Sequence, residues 1–307
     1  MKLLTPANKK SKTNIIYMLF SNIIIDKLKL CYIRNNESLF WQTITKKPEK
    51  YQIGKFILIK DPDFISNQYD GVYNIHYAQY EFGKLLYNRY SDKDQKYCWL
   101  KINNEVFYSD KLTLLKDLQT EMGLKYINNI TQLEIACDLP FNPIPAIKRL
   151  IKRDDVSIVR CGSKIEDKKQ EIEGLLFCHP TNSLRELRPT LYFSDADNRK
   201  CLVIYDKTKE IEKSNKPYIS NYYDNPKRLY RMEIRLKSDE LYRYFKKNNT
   251  KPTVDLLLDH KFKKSLYNEF LFRLLHLSYK RKSISLLDAV IATKEGYDLS
   301  YFVAKRM

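Results

Sequence analysis

The sequence predicts an α+β fold, in which helices pack on a mixed or antiparallel sheet and a helical C-terminal tail follows. Two patterns predict it. Short runs of alternating apolar residues, separated by Gly and Asp or Asn turns, recur through the first hundred residues and again up to residue 237. From Ser238 onward, apolar residues recur at intervals of three and four, which is typical of helices.

These patterns divide the chain into three parts. Residues 1–24 are a basic and apolar N-terminal segment, residues 25–237 a domain built on the sheet, and residues 238–307 a helical C-terminal region. The apolar stretch Ile15–Ile25 is well short of the roughly 20 residues that span a bilayer. We therefore expect no association with a membrane.

The individual elements follow from the same periodicities. The predicted strands are Lys27–Arg34, Gln52–Lys60, Val72–Gln79, Gly83–Asn88, Trp99–Phe107, Ile130–Asp138, Val156–Cys161, Gly174–Cys178, Thr190–Ser194, Lys200–Lys207 and Leu229–Lys237. The predicted helices are one that opens at Ser109 and stops at Gly123, then Ala146–Arg153, Leu256–Leu258 and Phe262–Tyr279.

The composition favours a polyanionic partner. Lys and Arg number 55 against 37 Asp and Glu, which gives a net charge of +18 and a pI near 9.4. Such an excess accelerates association with nucleic acid, and the 24 tyrosines suit contact with bases. An AT-rich genome, whose codons favour Lys, Asn, Ile and Tyr, accounts for part of the same signal.

Cysteine, glycine and histidine usage excludes several classes of protein. The six cysteines include no Cys-x-x-Cys pair, so neither a zinc ribbon nor a disulfide framework is indicated, and a reducing, cytoplasmic compartment is favoured. The 7 glycines form no nucleotide-binding loop, so unwinding of DNA would require a separate host helicase. The four histidines are isolated, which excludes a relaxase-type His-apolar-His metal site.

Three predicted strands carry polar groups within apolar sequence. Because side chains alternate along a strand, each strand collects its polar residues on one face. The three sets are Glu134 with Asp138, then Tyr205 with Lys207, then Arg231 with Glu233, Arg235 and Lys237. An unpaired buried carboxylate is costly, so these faces look into a site or into solvent. For any single strand, a solvated face or a Glu233–Arg ion pair is an equally open interpretation.

The chemistry of the three sets suggests metal-assisted phosphoryl transfer. Carboxylates without histidine or cysteine partners suit Mg²⁺ or Mn²⁺. Tyr205 would attack a phosphate and Lys207, on the same face, would stabilise the phenolate electrostatically. Glu134 and Asp138 are four strand residues apart, about 13 Å between Cα atoms. We therefore expect one of them to bind the metal with Glu233 while the other supports it.

Two stretches of the sequence resemble a known family. They are Thr190-Leu-Tyr-Phe-Ser-Asp with Cys201-Leu-Val-Ile-Tyr-Asp-Lys-Thr-Lys-Glu210, and Tyr230-Arg-Met-Glu-Ile-Arg-Leu-Lys237. Their order and spacing are similar to those of the rolling-circle plasmid replication initiators of the "replication initiation factor" (Rep_trans) family. The strand Leu133-Glu-Ile-Ala-Cys-Asp138 resembles the earlier acidic motif of that family, usually written with Asp where this chain has Glu134. The resemblance covers roughly residues 125–240.

The resemblance implies a reaction and the residues that perform it. An initiator of this kind nicks one DNA strand at an origin, forms a 5′-phosphotyrosyl bond and leaves a 3′-OH. Tyr205 would be the nucleophile, and Glu134, Asp138 and Glu233 the acidic metal site. Lys207, Arg231 and Arg235 would contact phosphates. The implied fold is that of replication initiators and relaxases. Tyr192 is a second candidate nucleophile, although a tyrosine at a strand centre is more often a core aromatic.

Two basic clusters in the tail are candidate DNA contacts. They bracket the predicted amphipathic helix and comprise Lys261, Lys263, Lys264, Lys280, Arg281 and Lys282. A solvated helix face explains them equally well. The expected substrate is origin DNA, single-stranded or in a cruciform, from a plasmid, phage or mobile element, and a homodimer is left open. Two alternatives also stay open: a non-catalytic DNA-binding protein of the same fold, and a relaxase-like mobilisation protein.

Overall fold

The computed structural model describes residues 23–35, 37–63, 69–88, 97–161, 163–164 and 190–304. The described part is α+β with a large antiparallel sheet, which confirms the predicted fold class. The predicted strand Gly174–Cys178 lies outside these residues. No helix in these ranges is both long enough and apolar enough to cross a membrane.

The strands and helices are numbered here in chain order. The strands are β1 Ile23–Ile33, β2 Lys50–Ile53, β3 Phe56–Lys60, β4 Gly71–Tyr77, β5 Tyr80–Tyr87, β6 Tyr97–Ile102, β7 Ile127–Leu139, β8 Val156–Arg160, β9 Ser163–Lys164, β10 Leu191–Ser194, β11 Lys200–Asp206, β12 Tyr230–Lys237, β13 Leu275–Tyr279 and β14 Lys282–Ile284. The helices are α1 Leu39–Ile44, α2 Leu114–Glu121, α3 Ile144–Lys152, α4 Lys207–Ser214, α5 Pro217–Tyr222, α6 Ser238–Lys247, α7 Val254–Leu258, α8 His260–Leu274, α9 Leu286–Glu295 and α10 Ser300–Ala304.

The chain forms two compact units, each built from separate stretches of sequence. Among the described residues, the tyrosine unit, named for Tyr205, comprises Ile23 and Ile24, those between Ile135 and Arg235, and residues 260–304. The lysine unit, named for the lysines on its sheet, comprises Ile25–Glu134 and Leu236–Asp259.

The lysine unit is built on the strands β7, β1, β6, β5, β4, β3 and β2, in that order, with β7 contributing its residues up to Glu134. The pairs from β1 to β2 are antiparallel. One predicted strand, Gln52–Lys60, is instead a hairpin of β2 and β3. The chain turns at Gly54, whose φ of +51° is a conformation that glycine adopts at little cost.

The tyrosine unit contains two sheets. The first has the order β10, β11, β12 and β7, with β7 contributing its residues from Ile135 onward. Inward-facing residues of β11 and β12, including Leu202, Ile204, Met232 and Ile234, are fully buried. Both strands are therefore central, and the polar side chains of Arg231 and Glu233 are held within the protein. The second sheet has the order β14, β13, β8 and β9.

The C-terminal region contains strands as well as helices, which corrects the predicted helix Phe262–Tyr279. Helix α8 ends at Leu274, and β13 pairs with β8 so that Leu277 lies opposite Ile158. In β13 the buried positions alternate with half-buried ones. The apolar residues of Leu275–Tyr279 therefore fit both the helical and the alternating period. Pairing with β8, which is distant in sequence, makes this segment a strand.

Candidate active site

Tyr205 lies at the end of a central strand with its hydroxyl group held by a carboxylate. It is half-buried on β11, and the chain leaves the strand at the next residue, because Asp206 caps helix α4 by accepting from the backbone N–H of Lys209. The Tyr205 hydroxyl donates to Oε2 of Glu233 over 2.9 Å. The phenol is thus accessible and has a proton acceptor in hydrogen-bonding distance.

The Glu233 carboxylate lies among positive charges. Its side chain is 1% exposed. Oε1 accepts from Nε of Arg235 over 2.6 Å, and Oε2 lies 4.0 Å from Nη1 of Arg231. Arg235 itself is exposed. The strand β12 therefore places a buried acid between a buried and an exposed guanidinium, and the phenol of Tyr205 is its third neighbour.

Asp138 and Arg231 form a buried ion pair. Nε and Nη2 of Arg231 donate to Oδ1 and Oδ2 of Asp138 over 2.7 and 2.5 Å, and neither side chain is more than 1% exposed. The hydroxyl of Tyr223 also donates to Oδ2, over 2.8 Å. Both oxygens of Asp138 are engaged by the protein in this arrangement. The predicted roles of Asp138 in metal binding and of Arg231 in phosphate contact stay predictions.

Lys207 is buried beside the tyrosine. Its side chain is 2% exposed and its ammonium group lies 2.5 Å from Oε2 of Glu210. The same ammonium is 5.8 Å from the centre of the Tyr205 ring. Burial raises the pKa of Glu210, but the charges of Lys207 and Lys216 outweigh it and hold that pKa below its usual range. Lys207 is thus placed to influence the phenol, whereas its predicted catalytic role stays a prediction.

Glu134 is the remaining predicted metal ligand. In the lysine unit it lies near a second carboxylate, that of Asp26. One of its carboxylate oxygens is within 4.8 Å of a carboxylate oxygen of Asp26. Oε1 of Glu134 accepts from Gln132 over 3.0 Å and lies 3.5 Å from the ammonium group of Lys27. Sequence reasoning missed Asp26 because it directly follows an apolar stretch, although its position on the first strand was a usable signal.

Asp26 is held in place by neutral donors. Nδ2 of Asn104 donates to its Oδ1 over 3.1 Å, and the Tyr108 hydroxyl donates to the same oxygen over 2.7 Å. The carboxylates of Asp26 and Glu134 lie close together and offer only oxygen atoms as ligands. Such a pair suits a hard divalent cation.

The predicted DNA contacts of the tail occupy two different structures. Lys261, Lys263 and Lys264 lie in the first two turns of α8. Lys280 and Arg281 form the turn between β13 and β14, with φ values of 47° and 67°, and Lys282 pairs with Tyr279. The second cluster is therefore exposed on a tight hairpin, whereas the sequence predicted it just beyond the C-terminal end of a helix. Its role in DNA binding is untested.

Tyr192, the second candidate nucleophile, lies on β10 opposite Val203 and is half-buried. It therefore shares a sheet face with Tyr205, two residues further along β11.

No protein-family model matches the chain, and no curated protein matches it. Among solved structures, the chain is similar to a rolling circle replication initiator protein from Geobacillus stearothermophilus. The two are 12% identical, the similarity covers 89% of this chain and 97% of that chain, and the TM-score is 0.44.

Proposed function

We propose that the protein nicks and rejoins one strand of DNA through Tyr205 and thereby initiates rolling-circle replication. The observation that carries the proposal is the hydrogen bond from the Tyr205 hydroxyl to the buried carboxylate of Glu233. A tyrosine has an ordinary pKa near 10, so it needs a base or a positive environment to act as a nucleophile near neutrality. Glu233 is the base, and Arg235 and Lys207 supply positive charge nearby.

The reaction transfers a phosphoryl group from a 3′ oxygen to the tyrosine. The phenolic oxygen attacks phosphorus while its proton passes to Glu233, and a new O–P bond forms. The bond between phosphorus and the 3′ oxygen breaks, and that oxygen takes a proton from water to become a 3′-OH. The 5′ end of the DNA remains on Tyr205. Attack of a 3′-OH on this phosphotyrosine reverses the step and rejoins the strand.

Positive charge lowers the barrier by stabilising the additional charge on the phosphate in the transition state. Arg235 is an exposed cation beside the reacting pair, because its Nε bonds the other oxygen of Glu233. We assign it to the phosphate. Lys207 acts on the phenol instead, from within the protein.

Mg²⁺ or Mn²⁺ is the proposed cofactor. The carboxylates of Glu134 and Asp26 fit such an ion because they offer hard oxygen ligands within 4.8 Å of each other. Asp138 fits it less well, because Arg231 and Tyr223 occupy both of its oxygens. A divalent ion bound there supplies Lewis-acid polarisation of a phosphate. A host helicase, a second copy of the chain and a plasmid or phage origin remain predictions.

The test is covalent capture. The protein is incubated with a random-sequence pool of single-stranded DNA and Mn²⁺, and adducts are isolated under denaturing conditions. We expect an adduct with the wild-type chain and with Tyr192→Phe, and none with Tyr205→Phe. An adduct that survives Tyr205→Phe would refute the assigned nucleophile. DNA binding without any adduct would favour the non-catalytic DNA-binding protein.

A further inference from the structure

Three lysines form a row across the sheet of the lysine unit. Lys29 on β1 lies directly opposite Lys101 on β6, which lies directly opposite Lys84 on β5. Adjacent strands are about 4.8 Å apart, so the row spans about 10 Å. Like charges directly opposite each other destabilise a sheet. Such a row is expected where an anion offsets the repulsion.

Acidic side chains near the three lysines neutralise only part of their positive charge. Lys84 bonds Oδ2 of Asp61 over 2.9 Å. Lys101 is exposed, and the described residues provide it with neither a hydrogen bond nor an ion pair. Burial lowers the pKa of Lys101, the charges of Lys27, Lys84 and Lys29 lower it further, and the charge of Glu81 opposes them only in part. The face therefore retains net positive charge in contact with solvent.

Aromatic rings lie beside the lysines on the same face. Trp99 is two residues before Lys101 on β6 and half-buried, opposite Cys31. The ring of Tyr69 meets it edge-on at 5.3 Å between centres, and that of Tyr97 lies 6.3 Å away. The ammonium group of Lys29 donates to the Tyr69 hydroxyl over 3.0 Å and lies 5.8 Å from the centre of the Trp99 ring. The same face of the sheet thus carries ammonium groups next to partly exposed aromatic rings.

We propose that this face, which we call the lysine–tryptophan face and which comprises Lys29, Lys84, Lys101, Trp99 and Tyr69, binds single-stranded DNA. The lysines contact phosphates, and a base stacks on Trp99. A flat ring beside a row of cations suits unstacked bases, which duplex DNA does not offer. The proposal rests on the proposed function for the choice of DNA, and it assigns that DNA a second contact region within the lysine unit.

The chain allows a direct optical test. It contains two tryptophans, Trp41 and Trp99, and Trp41 is 1% exposed. Oligothymidylate is titrated into full-length Tyr205→Phe protein while tryptophan fluorescence is recorded. We expect quenching on binding, with the same quenching in a Trp41→Phe variant and none in a Trp99→Phe variant. Quenching that persists in Trp99→Phe, or equal quenching by duplex DNA, would overturn the proposal.

The lysines are tested by their salt dependence. Because each phosphate contact on a single strand contributes about 0.7 to the slope of log K against log salt, the double variant Lys29→Gln with Lys101→Gln should lower the slope by about 1.4. Lys60→Gln is the matched control, since Lys60 lies on β3 and pairs with Glu49. An unchanged slope in the double variant would contradict the proposal.

Failure of this proposal can be separated from failure of the proposed function. If quenching is absent while Tyr205 still forms its adduct, the lysine–tryptophan face is wrong and the enzyme stands. If quenching occurs without any adduct in a chain that retains Tyr205, the binding face stands and the proposed chemistry is wrong.

Discussion

The phenol of Tyr205 and the carboxylate of Glu233 share a hydrogen bond of 2.9 Å, although 27 residues separate them in the chain. Two neighbouring central strands, β11 and β12, hold the pair. The carboxylate is almost wholly buried and the phenol is half-buried, so the acid is fixed and the nucleophile is reachable. This is the arrangement that a tyrosine needs to pass its proton to a base as it attacks.

Replacing the base should slow cleavage. Because the glutamine carbonyl still accepts a hydrogen bond but takes no proton, Glu233→Gln should preserve the geometry and lower the single-turnover rate of cleavage about 10²- to 10⁴-fold. Glu240→Gln is a matched control, since Glu240 is a buried glutamate that pairs with Arg243 within helix α6. A cleavage rate in Glu233→Gln equal to that of the control would exclude Glu233 as the base.

Breaking the buried ion pair should destabilise the fold. Asp138→Asn leaves the charge of Arg231 buried without its partner, which costs about 3–5 kcal/mol of the free energy of unfolding. Tyr223→Phe removes only one hydrogen bond to the charged acceptor and should cost about 1.5–3 kcal/mol. Urea denaturation of both variants measures the difference. Equal losses would show that the ion pair is not what stabilises this region.

His276 should make stability depend on pH. Burial lowers the pKa of this histidine, whose Nδ1 has no hydrogen-bond partner among the described residues. The unfolded chain therefore binds a proton more readily than the folded one. Above about pH 6.5, the ordinary pKa of histidine, His276 is neutral in both states and costs the folded state nothing. As the pH falls from there through the lowered pKa of the folded state, the free energy of unfolding decreases. Urea midpoints between pH 8 and pH 5 should fall less in His276→Leu, and the exposed His260→Gln should behave like wild type.

The hairpin cluster should contribute to binding of duplex DNA. Neutralising Lys280, Arg281 and Lys282 to glutamine should lower the slope of log K against log salt by up to about 2.7, because each phosphate contact on a duplex contributes about 0.9. Filter binding across a salt series measures the slope. A slope equal to that of wild type would mean that the cluster is only a solvated turn.

The alternation of side chains along a strand predicted which residues share a face. This was enough to place the polar side chains of β11 on one face of that strand, and likewise those of β12. It could not identify their partners, because those depend on which strands become neighbours. Asp138 meets Arg231, 93 residues away, and Tyr223 lies between two predicted strands in a stretch for which no element was predicted. The strand β13 was predicted as helix because its apolar residues fit both periods until the strand pairs with β8.

The most direct test of the account is to identify the residue that carries the DNA. A covalent complex formed with Mn²⁺ and single-stranded DNA is digested with nuclease and trypsin, and the modified peptide is sequenced by mass spectrometry. Trypsin releases the peptide Cys201–Lys207, in which Tyr205 is the single tyrosine. The account predicts a nucleotide on that peptide. A nucleotide on any other peptide, or an unmodified Cys201–Lys207 peptide in a purified adduct, would contradict it.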